Sequence, residues 1–172
     1  MLAALGRGHA LAFGYEPWDA RLAGAYALAA FENDHGAALY NFNFGNVEAS
    51  ANQPRTHWTR PDGSVRALRA YDTAERGAAG LWDVLRRRHG AALRAFDAAD
   101  YRAAVDELAR YGYFEADTER YRVALPQLAT RALTIELPAL RTQRAKLGLP
   151  WTAQLDAPEV GALDEDTKQY LP

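Results

Sequence analysis

The chain has 172 residues, a formal charge of −2 and an apolar fraction of 49%, which suits one domain with a real core. The slight acidity argues against a nucleic-acid partner. The absence of cysteine excludes disulfides, a thiolate nucleophile and thiolate metal ligands, and no apolar run reaches the length of a membrane span. Alanine is used heavily, which favours closely packed helices.

Residues 1–17 read as an N-terminal arm or short helix. Arg7 and His9 interrupt its apolar part and no cleavage site follows, so it does not read as a signal peptide; the expectation is a trimmed export signal or delivery by another machine. Pro17 suits the start of a helix over about Trp18–Asn33. A loop spans 34–46, and Val47–Ala49 is a short strand. Residues 50–64 read as loop and turn, with Pro61-Asp62-Gly63 as the turn signal, and Val65–Tyr71 as the returning strand of a small hairpin. Helices follow: one capped by Asp72 or Thr73 and stopped by Gly90, a short one near Ala91–Asp97, and one from Asp100 to Gly112. The next is capped by Asp117 or Thr118, is broken or kinked at Pro126, and its apolar pattern resumes to about Leu147. Residues 149–172 are acidic and irregular, an arm or linker. The fold class is mainly α (α+β), with the main domain over 18–148.

The chemistry concentrates between Tyr26 and Glu48. Ala25, Leu28 and Ala29 share one helix face, and Glu32 falls on that same face. A carboxylate in line with an apolar stripe is rare unless it is paired or used. Asn33-Asp34-His35-Gly36 is helix-stop chemistry, so Glu32 sits in the last turn, facing the edge of a cavity. Desolvation and the negative end of the helix dipole both favour its protonated form there, which is what a general acid needs. Downstream, Asn41, Asn43 and Asn46 alternate with Tyr40, Phe42 and Phe44. Amides supply paired donors and acceptors and rings supply flat apolar faces, a mixture that suits a sugar. An asparagine-rich turn that satisfies its own backbone fits the same residues.

Four motifs come in one order: the helix ending in Glu32, then Asn41-Phe42-Asn43-Phe44-Gly45-Asn46-Val47, then Arg69-Ala70-Tyr71-Asp72, then Tyr111-Gly112-Tyr113-Phe114 followed by Asp117 and Tyr121. Over about residues 20–128 the chain resembles the glucosaminidase (flagellar muramidase-like) peptidoglycan hydrolases of the lysozyme superfamily. Asn33-Asp34-His35-Gly36 replaces the small Thr/Ser-Gly pair of that family, and Glu48 stands where the family often has Lys. The resemblance implies a lysozyme-like helical domain with a small β-hairpin. It also implies a glycosidase that cuts the glycan strand beside N-acetylglucosamine, with peptidoglycan or another N-acetylglucosamine-containing glycan as partner. It places Tyr71 in the cleft facing the acid and has the Tyr113 segment close one side.

A second carboxylate is the usual partner of such an acid. Glu48, Asp34 and Asp62 are the candidates, with Glu48 favoured because it lies on the hairpin that is expected to border the cleft; the substrate's N-acetyl group or hydroxymethyl oxygen is the alternative. Trp58, in the long loop, is placed to stack on a sugar ring. Tyr121 reads as a core tyrosine. Arg86-Arg87-Arg88 reads as a solvated outer helix face that would also attract an anionic polymer. His9, His35, His57 and His89 lack ligand spacing, and no phosphate-binding glycine loop occurs, so neither a metal nor another cofactor is expected. The non-catalytic alternative is a glycan-binding or structural lysozyme-like module of a phage-like or secretion assembly. The expected location is the cell envelope or the extracellular space, with cytoplasmic storage before delivery.

Overall fold

Small side chains decide how closely these helices pack. The computed structural model describes residues 1–36, 39, 41–60, 62–114 and 118–148. Along them run α1 (Leu2–Phe13), α2 (Asp19–Glu32), β1 (Arg55–Thr59), β2 (Val65–Arg69), α3 (Ala74–Arg88), α4 (Gly90–Asp97), α5 (Tyr101–Arg110), α6 (Thr118–Arg131) and α7 (Leu137–Lys146), with a π-helical turn at Ala132–Glu136 joining the last two. The fold is mainly helical with one small antiparallel hairpin. Among the described residues no helix is long and apolar enough to cross a membrane.

α2 is buried nearly all round. Leu22, Ala23, Ala25, Ala27, Leu28, Ala29 and Ala30 are all fully buried, so the apolar surface is a full cylinder and not the single stripe that periodicity suggests. α1, α4 and α6 pack against it. Gly24 lets the Phe96 ring lie on the helix backbone, since a Cβ there would sit 2.4 Å from a ring carbon. The segment read as an arm or short helix forms α1, whose Leu5 is fully buried and accepts a 2.8 Å hydrogen bond from Trp82 Nε1 through its carbonyl. Gly8 brings α1 and α3 together: a Cβ there would sit 2.5 Å from that of Ala78. Thr73 caps α3 and Asp100 caps α5 through their side-chain oxygens.

The strands differ in detail from the sequence reading. β1 lies inside the stretch read as loop, and pairs with β2 in the register Trp58 with Arg66 and Thr56 with Leu68. Val47–Ala49 contributes a single bridge, Glu48 with Leu68, on the other edge of β2. α6 continues through Pro126 without ending there. Pro61, Asp117 and the segment 149–172 lie outside the described residues.

One buried polar cluster ties α1, α2 and α4. Arg21 holds Asp97 with two 2.6 Å bonds, and its Nη1 lies 3.2 Å from His9 Nε2. An arginine only donates, so His9 Nε2 accepts and the ring proton sits on Nδ1, donated to the Tyr15 carbonyl at 2.8 Å. His9 is fully buried, and burial pushes its imidazole down to about 4, with the Tyr15 carbonyl opposing and the Arg21 charge reinforcing. The folded value lies below the unfolded one, so the unfolded chain binds the extra proton between them. Stability from this group is present above pH 6.5 and is lost as the pH falls toward about 4. The loss should reach at most about 3 kcal/mol. Urea denaturation of the parent and of His9→Asn at pH 7, 5.5 and 4.5 checks this: the parent should lose more stability than the variant across that window, because the carboxylates common to both cancel.

Candidate functional site

Glu32 is the last residue of α2, and the chain behind it is strapped down. Asn33 is fully buried; its Nδ2 donates to the Ala29 carbonyl at 2.9 Å and to the Phe44 carbonyl at 2.8 Å. The end of α2 is thereby bonded to the loop that carries Asn46. That loop takes a tight path, with Asn41, Phe42 and Asn46 in the left-handed region at φ of 47°, 56° and 49°. Such a backbone persists only where its surroundings over-determine it. Gly77 of α3 supplies one constraint: a Cβ there would sit 1.8 Å from the Phe42 carbonyl oxygen, so the loop backbone rests directly on the helix. Phe44 is buried as an anchor, and Gly45 fits against Leu81 where a Cβ would come within 2.7 Å.

The outcome is a carboxylate held at both oxygens. Tyr121 Oη donates to Glu32 Oε1 at 2.7 Å and Asn46 Nδ2 donates to Oε2 at 3.1 Å. The Tyr121 ring is stacked on Phe114 at 3.7 Å and tilted against Phe31 at 4.6 Å. Desolvation first, and then the negative charge of Glu32, push the Tyr121 phenol well above its ordinary range. The same two causes, in the same order, raise Tyr113, whose hydroxyl is closed to solvent. Both phenols therefore keep their protons; Tyr121 donates its proton to Glu32, while the buried Tyr113 hydroxyl has no hydrogen-bond partner among the described residues.

Two clefts meet at Glu32 and Tyr121, which line both. One, of about 830 Å³, runs between the hairpin, the end of α3 and residues 111–114. It contains Asn46, Glu48, Trp58 and Tyr113 of the residues singled out in the sequence. The other, of about 770 Å³, lies between the end of α2 and α6 and includes Asp34 and His35. Glu48 is held by Arg66 through Nε at 2.9 Å and Nη2 at 2.7 Å and stays largely exposed. Trp58 stands in β1, not in a loop, and Arg66 is directly across the strand pair from it.

Three residues expected in the cleft do not line it. Asn43 is 1% exposed, and its amide is consumed by backbone: Nδ2 donates to the carbonyls of Val47 and Arg69, and Oδ1 accepts from the Val47 N–H. Tyr71 turns its hydroxyl into the slot left by Gly80, where a Cβ would be 2.0 Å from that oxygen. Asn41 is exposed elsewhere and engages Tyr71 N–H through its carbonyl. Conversely, sequence reasoning placed Tyr121 in the core and Arg86-Arg87-Arg88 on an outer face. Tyr121 bonds the carboxylate, and Arg87 and Arg88 line the larger cleft. The late Gly-Tyr motif that ends in Tyr121 carried the signal for the first; nothing in the local sequence carried the second. Asp62 closes the hairpin turn by accepting from Ser64 N and Oγ. Among the described residues no cluster of three or more histidine, aspartate or glutamate side chains is placed to hold a metal.

No protein-family model matches the chain. No curated protein matches it either. Among solved structures it is similar to the glycoside hydrolase domain from Salmonella typhimurium FlgJ, with a TM-score of 0.53 and 20% identity over 74% of this chain and 84% of that one. What the two share is the fold. The mainly helical body with a small hairpin is a lysozyme-like architecture.

Asn43 and Asn46 are separable by stability. Asn43→Ala strands the Val47 and Arg69 backbone groups in a buried site and should cost about 2 kcal/mol or more. Asn46→Gly keeps the left-handed backbone and should cost less than about 1 kcal/mol. Chemical denaturation of both variants checks the difference; equal losses would contradict the placement of Asn43 as a structural tie.

Proposed function

We propose that the protein is a peptidoglycan glycosidase that cleaves the glycan strand beside N-acetylglucosamine, with Glu32 as general acid. The observation that carries this reading is the fixed carboxyl of Glu32 at the end of a buried helix, at the junction of two clefts, with Trp58 and Glu48 in the larger one. The fold shared with a glycoside hydrolase domain supports it. In this reading the protonated form of Glu32 gives its proton to the glycosidic oxygen as the bond to the sugar's anomeric carbon breaks, and water adds to that carbon, losing a proton to Glu48 or back to Glu32. Positive charge develops on the ring, and Glu48 is the carboxylate available to stabilise it or to activate the water. Asn46 and Tyr121 keep the acid oriented, Trp58 offers a face for a sugar ring, and the site of action is the cell envelope.

The direct test is Glu32→Gln. The amide has nearly the same shape and can still hydrogen-bond, but it has no acidic proton to give. Activity on purified cell walls should fall by roughly two to four powers of ten while the unfolding midpoint stays close to that of the parent. Glu48→Gln should be nearly as severe if that carboxylate participates, and mild if the substrate's own N-acetyl group does. Full activity of Glu32→Gln refutes the mechanism, and inactivity of the parent on every wall type would favour a binding module of the same fold.

Tyr121→Phe removes one oxygen and keeps the stack on Phe114. A freed acid should lower kcat by about tenfold, equivalent to roughly 1.4 kcal/mol in the barrier, with KM little changed. Steady-state kinetics on a soluble glycan fragment measure it; an unchanged kcat would show that the phenol does not position Glu32.

A further inference from the structure

The larger cleft is opposite in charge to the chain that builds it. The protein carries a formal charge of −2, yet five arginines line this cleft against three carboxylates. The carboxylates are engaged within the protein: Glu48 by Arg66, Asp83 by Arg86 and Arg87, and Glu32 by Asn46 and Tyr121. Arg88 has no carboxylate partner among the described residues, and it is exposed, as is Arg87. Arginine at the end of a helix is common because it complements the helix dipole. Arg86 accounts for itself in that way, since it bonds Asp83 and lies over the Phe13 ring at 5.6 Å. Arg87 also bonds Asp83, through Nε at 2.9 Å, but it and Arg88 line the same cleft that Arg60 and Arg66 reach from the hairpin. His89 beside them adds no charge near neutral pH, because burial, and then Arg88, push its imidazole down.

We propose that this cleft selects for negative charge on its glycan: Arg87 and Arg88 pair with carboxylates carried by the strand, such as those of the lactyl-linked peptide on muramyl residues, while Trp58 takes a sugar ring. The inference rests on the glycosidase reading above and names its substrate class more narrowly, as a carboxylate-bearing glycan in preference to an uncharged one. Each exposed arginine–carboxylate pair contributes modestly. Arginine nonetheless offers a planar fork that fits a carboxylate at two points, and several like charges around one concave wall add a field that acts beyond contact range.

The test uses the full chain carrying Glu32→Gln, so that ligands are not consumed. Three probes are titrated calorimetrically: a muropeptide with free carboxylates, the same muropeptide with its carboxylates amidated, and a chitin oligomer of matching sugar number. In low salt the free acid should bind roughly tenfold tighter than the amidated form, and the gap should narrow as salt rises. Adding Arg87→Gln and Arg88→Gln should shrink the gap to about twofold, with Arg88→Lys recovering part of it. Equal affinity for the free and amidated forms, with sugar still bound, overturns charge selection and leaves the glycosidase reading standing. Failure of all three probes to bind overturns both.

Discussion

The carboxylate of Glu32 is the point at which three stretches of chain meet. Its hydrogen-bond partners lie 14 and 89 residues away, Asn46 on the loop and Tyr121 on α6. Neither contact is a local consequence of helix or turn chemistry. Each requires that its element arrive at the end of α2 at the right height, so the remaining architecture can be understood as what delivers those two donors. A buried amide does part of this: Asn33 bonds α2 to the loop at Phe44, two residues before Asn46. The stacked pair Phe114 and Tyr121 does another part, fixing the ring whose hydroxyl reaches the acid.

Close packing makes this delivery possible. Four glycines stand where backbone or rings press on a helix, at Gly8, Gly24, Gly80 and Gly77, and at each one a Cβ would overlap a neighbour. The last of these matters most for the site. Phe42 sits in a left-handed conformation that bulky residues avoid, and its carbonyl lies against Gly77. Strain in the loop is thus held by a helix that contributes nothing but the absence of a side chain. Asn43 closes the same loop from inside with three hydrogen bonds. Buried amides satisfied in this way rigidify a structure, because losing any one bond leaves a group unpaired.

This division between local and distant causes explains what the sequence did and did not disclose. Helix identity, the caps at Thr73 and Asp100, and the mainly α class are local matters of periodicity and capping, and they were legible. The carboxylate at the end of an apolar helix was legible for the same reason. The roles of the asparagines were not: Asn41, Asn43 and Asn46 lie within six residues and have the same chemistry, yet one is exposed, one is consumed by backbone and one meets the acid. What separates them is loop conformation, which composition does not encode. Tyr71 turned from the cleft because Gly80 leaves room for its ring, a fact about α3 and not about its own motif. β1 was hidden because its alternation is weak and its flanks resemble loop, and it is the pairing with β2 that makes it a strand.

The polarity of the larger cleft follows from the same arrangement and bears on what it can hold. Tyr113 and Tyr121 retain their protons because burial and the nearby negative charge oppose ionisation. The arginines only donate, and the amide nitrogen of Asn46 donates to the acid. The charged groups that line this cleft are five arginines and three carboxylates. A ligand that offers acceptors, such as acetamide carbonyls, ring and glycosidic oxygens or carboxylates, suits the exposed arginines among them. Asn46, Tyr121 and Arg66 are already held on carboxylates within the protein, so their placement adds little ordering cost when a ligand enters.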